Sequence, residues 1–519
     1  MITLKSYVRG AWHAGTGEPA QLVNPSTEEP LATASSAGID FQAVLDHGRD
    51  TGGPALRALD FPARGKLLAD LAAAVHEHRE ELIELSMQNG GSTRGDAKFD
   101  LDGATGTLAA YARFARDLPA AGSLPDGDGI QLGRTPRFWG QHVLVPRTGV
   151  AVHVNAFNFP AWGMGEKMAC ALLAGVPVIE KPGTPTALIA FRVAEILVAS
   201  GLLPEGSFQF IAGRPGDLID RLGAEDCLAF TGSSGTGASL KGGENLVARN
   251  VRVNIEADSL NAAVLAPDVD SSAEAYDQFL ANVQLDITQK TGQKCTAVRR
   301  IFVPEDRVEE VAGELVAALG RTVVGNPAHK GTTMGPLASA AQLRDVREGI
   351  GRLAEHADVL CGGAEPVAEQ GYFVAPTLLR AREPEAEVFH SHEVFGPVAT
   401  VIPYSGSAAD AVRLANLGGG GLVCSLYTND SDWAREVVLG ISPWHGRIWI
   451  GSDRVAGQAA APGTVLPMTV HGGPGRAGGG EELGGLRGLS FYMQRTAIQG
   501  FQGLVAGSFG ARAKQEEPA

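Results

Sequence analysis

Long apolar runs are missing from this chain: nowhere do the ~18 consecutive apolar residues needed to span a membrane occur. The opening stretch, MITLKSYVRGAWHAG, also lacks the apolar core of a signal peptide. No membrane span is predicted, and a cytoplasmic location is expected. Cysteine is scarce. Its five positions, Cys170, Cys227, Cys295, Cys361 and Cys424, are odd in number, widely spread and without CxxC spacing. Neither a disulfide framework nor a zinc site is indicated, so no metal is expected. Positive charge is in deficit, with 43 Lys and Arg against 58 Asp and Glu and a net charge of −15. That balance argues against nucleic acid or an anionic membrane as partner. It leaves room for a local basic pocket around a phosphorylated ligand. Internal repeats are absent, and the one biased segment is the glycine-rich HGGPGRAGGGEELGG near the end.

What is present is length and apolar content. At 519 residues and 44% hydrophobic, the chain exceeds the ~250–300 residues one core can serve, so two or more domains are expected. One-sided apolar spacing predicts an amphipathic helix over Phe61–Asn89 and a second over about Asp96–Leu118. Between Gly149 and Ala257, short apolar runs (VAVHVN, VPVIEKP, SFQFIAG, CLAFTGS, VRVNIEA) alternate with helices starting near Ala161, Thr186, Pro215 and Thr236. This alternation predicts an α/β fold with a parallel, doubly wound sheet. A second α/β unit follows Leu260, with strands AAVLA, VRRIFVP, FVAPTLL, VATVIPY, LVCSLYT and GRIWIGS and helices at about 273–291, 306–320, 338–354 and 408–416. Between the helices and the first sheet, a segment rich in Gly, Pro and Asp leads into QHVLVPRTG. It reads as a ribbon leaving the globule, whose edge needs a partner such as another subunit. LSFYMQRTAI is read as a late strand and AKQEEPA as a frayed tail.

The chemistry centres on KTGQKCTAVRR, Lys290 to Arg300. A cysteine is nucleophilic as thiolate, and Lys290, Lys294, Arg299 and Arg300 are expected to hold down the pKa of Cys295, with Gly292 letting backbone approach a ligand. FTGSSGTG places Gly232, Ser233 and Gly237 at a strand-to-helix turn, where backbone N–H groups and the helix dipole favour phosphate. Lys181 closes the second strand and can reach a ribose or phosphate oxygen, and Gly213 starts another glycine turn. Asn158 in NAFNFP sits at a strand end, where its amide can donate to an oxyanion or instead cap the following helix. Glu256 closes an apolar strand and is a candidate base. Glu393 and Glu482 are further acidic candidates.

Taken in order, FNFPAWG, VIEKP, FTGSSGTG, IEADS, GQKCTA, EVFGPV and EELGG resemble the aldehyde dehydrogenase superfamily along nearly the whole chain. The resemblance implies a Rossmann-like cofactor domain over 1–124 and 148–258, an α/β catalytic domain over 259–470, and an oligomerisation ribbon and strand over 125–147 and 488–505, with a tail at 506–519. It implies Cys295 as nucleophile, Asn158 with the Cys295 N–H as oxyanion hole, Glu256 as general base, and Glu482 or its neighbour Glu481 as a proton relay. Lys181 and Glu393 then match cofactor-ribose residues, Gly232, Ser233 and Gly237 the phosphate turn, and Phe395 a residue beside the nicotinamide. A homodimer or homotetramer is implied as well.

The details AVHVNAFNFPAWGMGEK, EADSLNAAVL, TGQKCTAVRR, HGGPGRAGGGEELGGLR and YMQRTA are similar to a narrower group, the dehydrogenases of aerobic aromatic-compound degradation that oxidise CoA-linked semialdehydes. They imply a CoA-thioester semialdehyde as substrate, with the CoA portion at the tunnel mouth. Thr184 stands where NAD-preferring relatives carry a ribose-binding glutamate, which favours NADP while permitting NAD. A free aliphatic or aromatic aldehyde is the alternative substrate, and a silent binding protein on this fold a remote one. A cysteine hydrolase would need a histidine base near the thiol and would leave the nucleotide turn unexplained.

Overall fold

The computed structural model describes residues 1–510. Two seven-stranded sheets carry the site. In the first, Arg252–Glu256, Cys227–Thr231, Ala151–Val154, Val178–Lys181 and Phe208–Phe210 lie parallel in that spatial order, and a hairpin of Ser6–Val8 and Ala11–His13 closes the far edge antiparallel. The chain runs outward from Ala151–Val154 in one direction, then crosses over to Cys227–Thr231 on its other side. Ligands of open α/β sheets bind at such a reversal, outside the carboxyl ends of the strands. Asn155 and Gly232 stand just past those two strand ends.

The second sheet has the spatial order Ala357–Cys361, Thr377–Ala381, Val398–Tyr404, Arg300–Pro304, Ala262–Leu265, Gly421–Tyr427 and His445–Gly451, parallel except for its first strand. Its strands Ala262–Leu265, Arg300–Pro304 and Gly421–Tyr427 are buried at every residue, as expected for a sheet covered on both faces. The expected ribbon strand, Phe138–Pro146, pairs antiparallel through nine residue pairs with Met493–Phe501 of the same chain. That strand is thus paired within the chain, and Met493–Phe501 is left as the outer edge of its sheet.

Several expected elements differ. The helix expected over Phe61–Asn89 is two, Phe61–Glu77 and Arg79–Asn89, broken at His78, whose ψ of 14° leaves the helical range. No helix starts near Pro215; only a short 3-10 turn, Ile219–Arg221, follows. The helix expected over about 273–291 ends at Thr288, because Lys290 and Thr291 turn left-handed. The tail expected over 506–519 begins inside a helix, Gln502–Phe509; AKQEEPA lies outside the described residues. Elements without a clear sequence signal are the N-terminal hairpin, the helix Ser431–Ile441 and a hairpin of Val470–Gly473 with Gly480–Leu483.

Candidate active site

Cys295 is carried on the turn between the helix ending at Thr288 and the strand Arg300–Pro304. Three consecutive left-handed residues, Lys290 (φ 52°), Thr291 (φ 57°) and Gly292 (φ 64°), reverse the chain before it. For a β-branched residue this conformation costs on the order of 1–3 kcal/mol, and surrounding contacts must impose it. Thr291 Oγ1 donates to Gly335 O at 2.9 Å. Gly292 was expected to open space for a ligand. Instead it presses on protein backbone, since a Cβ there would meet Gly396 O at 2.2 Å. Downstream, Asn261 Nδ2 donates to Cys295 O at 2.7 Å and to Ala297 O at 2.9 Å. The residue as a whole is partly exposed, and the Cys295 N–H donates no hydrogen bond among the described residues.

The four cations expected to poise the thiol are engaged elsewhere. Lys290 Nζ sits 4.6 Å from the Phe159 ring centre and feels Asp96 and Asp100. Lys294 Nζ donates to Asp286 at 2.7 Å. Arg299 donates to Gly396 O and Gly292 O, and Arg300 to Leu260 O and Ala415 O. Burial, reinforced by Glu256, Glu166 and Glu393, pushes the Cys295 thiol well above its ordinary range.

Beside the sulfur stands a residue the sequence reading passed over. His471, on the strand Val470–Gly473, places Nε2 4.0 Å from Cys295 Sγ and 3.3 Å from Glu256 Oε1. The reactive atoms of all three side chains lie within 4.8 Å of one another. Burial favours the neutral ring, but the Glu256 charge outweighs it and raises the His471 pKa. Burial likewise opposes ionisation of Glu256, but His471 and Lys167 outweigh it and bring its carboxyl down to about 2. Behind them, Lys167 Nζ lies 3.2 Å from Glu482 and 3.5 Å from Glu166, and Asn254 Nδ2 donates to Glu482 at 3.1 Å. Burial pushes Glu166 up to about 7.

Asn158 lines the same cavity as Cys295, Glu256 and His471. Its amide donates to Gln293 O at 3.0 Å. It does not cap the next helix: the Ala161 and Trp162 N–H groups donate instead to the buried Asp100 at 3.3 and 2.8 Å. Asn158 is therefore free of a capping role. The cavity is narrow, with about 40 Å³ of interior space, and is walled by Phe99, Phe159, Trp162 and Val465.

On the nucleotide side, Lys181 is buried at the end of Val178–Lys181 and donates only to Pro182 O, at 2.9 Å. Burial brings its pKa down to about 8. A buried ammonium with one of three protons placed fits an anionic or hydroxyl-rich ligand such as a dinucleotide. Thr184 opens a half-buried 3-10 turn just beyond. Ser233 caps the helix Ser234–Lys241 by accepting from Thr236 N. Asp258, which the sequence reading did not single out, accepts from Ser234 N at 2.9 Å and Ser234 Oγ at 2.5 Å. Gly232 and Gly237 are needed for packing, since Cβ atoms there would come within 2.5 Å of Phe230 and 2.9 Å of Ile255. Gly213 (φ 135°) likewise packs on Ser36 N, 2.6 Å from where its Cβ would sit. Glu393 accepts from Ser259 N at 3.1 Å, and burial pushes its carboxyl up to about 7. Phe395 meets Phe157 edge-on at 6.0 Å, under the Arg299 guanidinium.

Comparison with known proteins agrees along the chain. The model of the aldehyde dehydrogenase family matches residues 12–498. The chain is 44% identical over 480 residues to 3,4-dehydroadipyl-CoA semialdehyde dehydrogenase of Aromatoleum evansii, covering 91% of this chain and 93% of that protein. It is 30% identical over 490 residues to phenylacetaldehyde dehydrogenase of Pseudomonas fluorescens, covering 92% of each. The solved lactaldehyde dehydrogenase of Escherichia coli superposes with a TM-score of 0.84 at 24% identity, over 96% of this chain and 99% of that one. A thiol, a carboxylate and an amide gathered at the meeting of two α/β sheets, with family agreement over nearly the full length, make this chain an oxidoreductase belonging to the aldehyde dehydrogenase family.

Proposed function

We propose that the enzyme oxidises the aldehyde end of a CoA-thioester semialdehyde from aromatic-compound breakdown to the acid, with NADP as preferred acceptor and NAD as a possible one. The relative sharing 44% identity is named for a substrate of this kind, 3,4-dehydroadipyl-CoA semialdehyde. The observation that carries the reading is the confined thiol. About 40 Å³ around Cys295 admits a slim aldehyde end and leaves a CoA moiety outside.

Cys295 attacks the carbonyl carbon, and the Asn158 amide and Cys295 N–H stabilise the resulting oxyanion. A nicotinamide dinucleotide held there would supply the hydride acceptor for the thiohemiacetal. Lys181, Glu393, Phe395, the Gly232–Gly237 turn with Ser233, Thr184 and Gly213 are its candidate contacts. A thioester remains on Cys295. Glu256 then takes a proton from the water that hydrolyses it, and Glu482, reached through Lys167, carries the proton outward. Thr184 adds no carboxylate against a 2′-phosphate, and the ammonium of Lys181 can pair with one.

A homodimer or homotetramer is supported by Phe138, Phe501 and Leu504, which stand 47%, 64% and 63% exposed at the ribbon and the adjoining helix. Five free cysteines suit a reducing cytoplasm. No helix among the described residues is long and apolar enough to cross a membrane.

The test is absorbance at the reduced-nicotinamide band with a six-carbon CoA semialdehyde or its CoA-free analogue, each with NADP and with NAD. NADP reduction much faster with the CoA thioester is expected. Equal rates with simple aldehydes would remove the CoA assignment, and no reduction with any aldehyde would overturn the enzymatic reading. Cys295→Ala should abolish turnover by more than about 10³-fold while cofactor binding persists.

A further inference from the structure

The site gathers an unusual balance of charge around its sulfur. Glu256, Glu166 and Glu393 all disfavour a thiolate on Cys295. The neighbouring cations are spoken for. Lys290, Lys294, Arg299 and Arg300 have the partners given above, Lys167 faces Glu482 and Glu166, and Arg447 donates to Thr464 O and Pro462 O. One positively chargeable atom stands at the sulfur itself, His471 Nε2, 4.0 Å from Sγ and 3.3 Å from Glu256. The ring is 3% exposed, and its strand is pinned by pairing with Gly480–Leu483.

We propose that His471, as an imidazolium, is the counter-charge that turns Cys295 into a nucleophile: the thiol proton passes to the Glu256 carboxylate, the Nε2–H exchanges Glu256 for the thiolate, and Glu256 sheds that proton outward through the Lys167–Glu482 pair before it serves as base for the hydrolytic water. One S–H bond breaks and one O–H bond forms. No electron pair leaves the site, the negative charge moves from carboxylate to sulfur, and the ring keeps both protons. Because the same nitrogen reaches both partners, the charge is followed by a sub-ångström shift rather than a side-chain swing. The groups facing His471 are Glu256, Cys295, Glu166, Glu482, Lys167 and Arg447. The carboxylates favour the imidazolium, led by Glu256, while burial and Arg447 oppose it. His471 touches the reacting sulfur and so acts as a catalytic residue, not only as a support for Glu256.

This inference rests on Cys295 being the nucleophile, and its test separates the two ideas. The full-length protein, without aldehyde or dinucleotide, is alkylated with iodoacetamide from about pH 5 to 10, and the label is located by mass spectrometry. For His471→Gln we expect labelling of Cys295 at neutral pH to fall about tenfold or more, with the rate recovering only at higher pH. His471→Lys, which retains a positive charge, should stay within about threefold of wild type at neutral pH. A His471→Gln profile superimposed on wild type overturns the proposal, as does equal impairment of the Lys variant. If circular dichroism shows that His471→Gln does not fold, the Lys variant decides alone, on the same threefold criterion. Labelling in wild type that falls on other cysteines and spares Cys295 overturns the nucleophile assignment instead.

Discussion

His471 and Glu482 stand directly opposite one another across the antiparallel hairpin of Val470–Gly473 and Gly480–Leu483. Opposed residues in such a pair share a face of the ribbon, and here that face looks into the active site. His471 reaches Glu256 at 3.3 Å and Glu482 reaches Lys167 at 3.2 Å. One rigid register therefore sets both the charge beside the thiol and the acidic end of the path leading away from it. Buried charges are tolerated only when paired, so carboxylates and cations must interleave as they do here.

From that arrangement, acyl transfer to Cys295 and hydrolysis of the thioester should respond differently to loss of an acid. Glu482→Gln leaves Cys295, His471 and Glu256 in place but removes the outward proton acceptor. Rapid mixing should show a burst of reduced dinucleotide close to one per site, followed by a steady rate lowered about 10- to 100-fold, within the usual span of acid–base contributions. A missing burst with intact dinucleotide binding would show that Glu482 acts before hydride transfer.

The strand ends were legible because their physics is local. Apolar runs closed by Lys181, Gly232 and Glu256 announce buried parallel strands, and the reversal of strand order brings those ends together. The roles of the cations near Cys295 were not legible. Adjacent in sequence, Lys290, Lys294, Arg299 and Arg300 are dispersed by a left-handed turn to partners as distant as Ala415. His471 lay hidden for the opposite reason: it is 176 residues from Cys295, in a glycine-rich stretch with no alternation to mark a hairpin. Asp100 is the same lesson on a smaller scale. Nothing in its helical surroundings shows that it caps the helix Trp162–Ala174, whose N-cap residue lies 61 residues later.

Cofactor choice should turn on Thr184. Thr184→Glu places a carboxylate three residues beyond Lys181, where it repels a 2′-phosphate and accepts from free ribose hydroxyls. The ratio of kcat/KM for NADP over NAD should fall at least about tenfold, or roughly 1.4 kcal/mol. An unchanged ratio would mean that the 2′ position is read elsewhere.

Lys181 gives a pH signature for the same contact. Burial lowers its pKa to about 8, so the unliganded protein carries the ammonium below that value and loses it above. An ammonium pairs with the 2′-phosphate, whereas a neutral amine does not. Measured by fluorescence titration, NADP affinity should therefore weaken as pH rises past 8, approaching tenfold per pH unit. NAD affinity should change much less. Lys181→Met should flatten the NADP dependence, and a slope that survives this change would assign the proton to another group.

Gly292→Ala tests the backbone that carries the thiol. The residue is left-handed at φ 64°, and a Cβ there would stand 2.2 Å from Gly396 O, a backbone atom that cannot swing aside. Strain and overlap together should destabilise the fold by about 2–4 kcal/mol. Relieving them must move either Gly396, which also accepts from Arg299 at 2.8 Å, or the turn leading into Cys295. Denaturant unfolding should thus show the lost stability, while iodoacetamide labelling of Cys295 in the still-folded protein should change in rate. Gly351, in the helix Ala340–Ala354 with open space where its Cβ would project, is the matched control. Gly351→Ala should be neutral or stabilising by up to about 1 kcal/mol. If Gly292→Ala behaved like that control, the left-handed turn would not be what holds the cysteine in place.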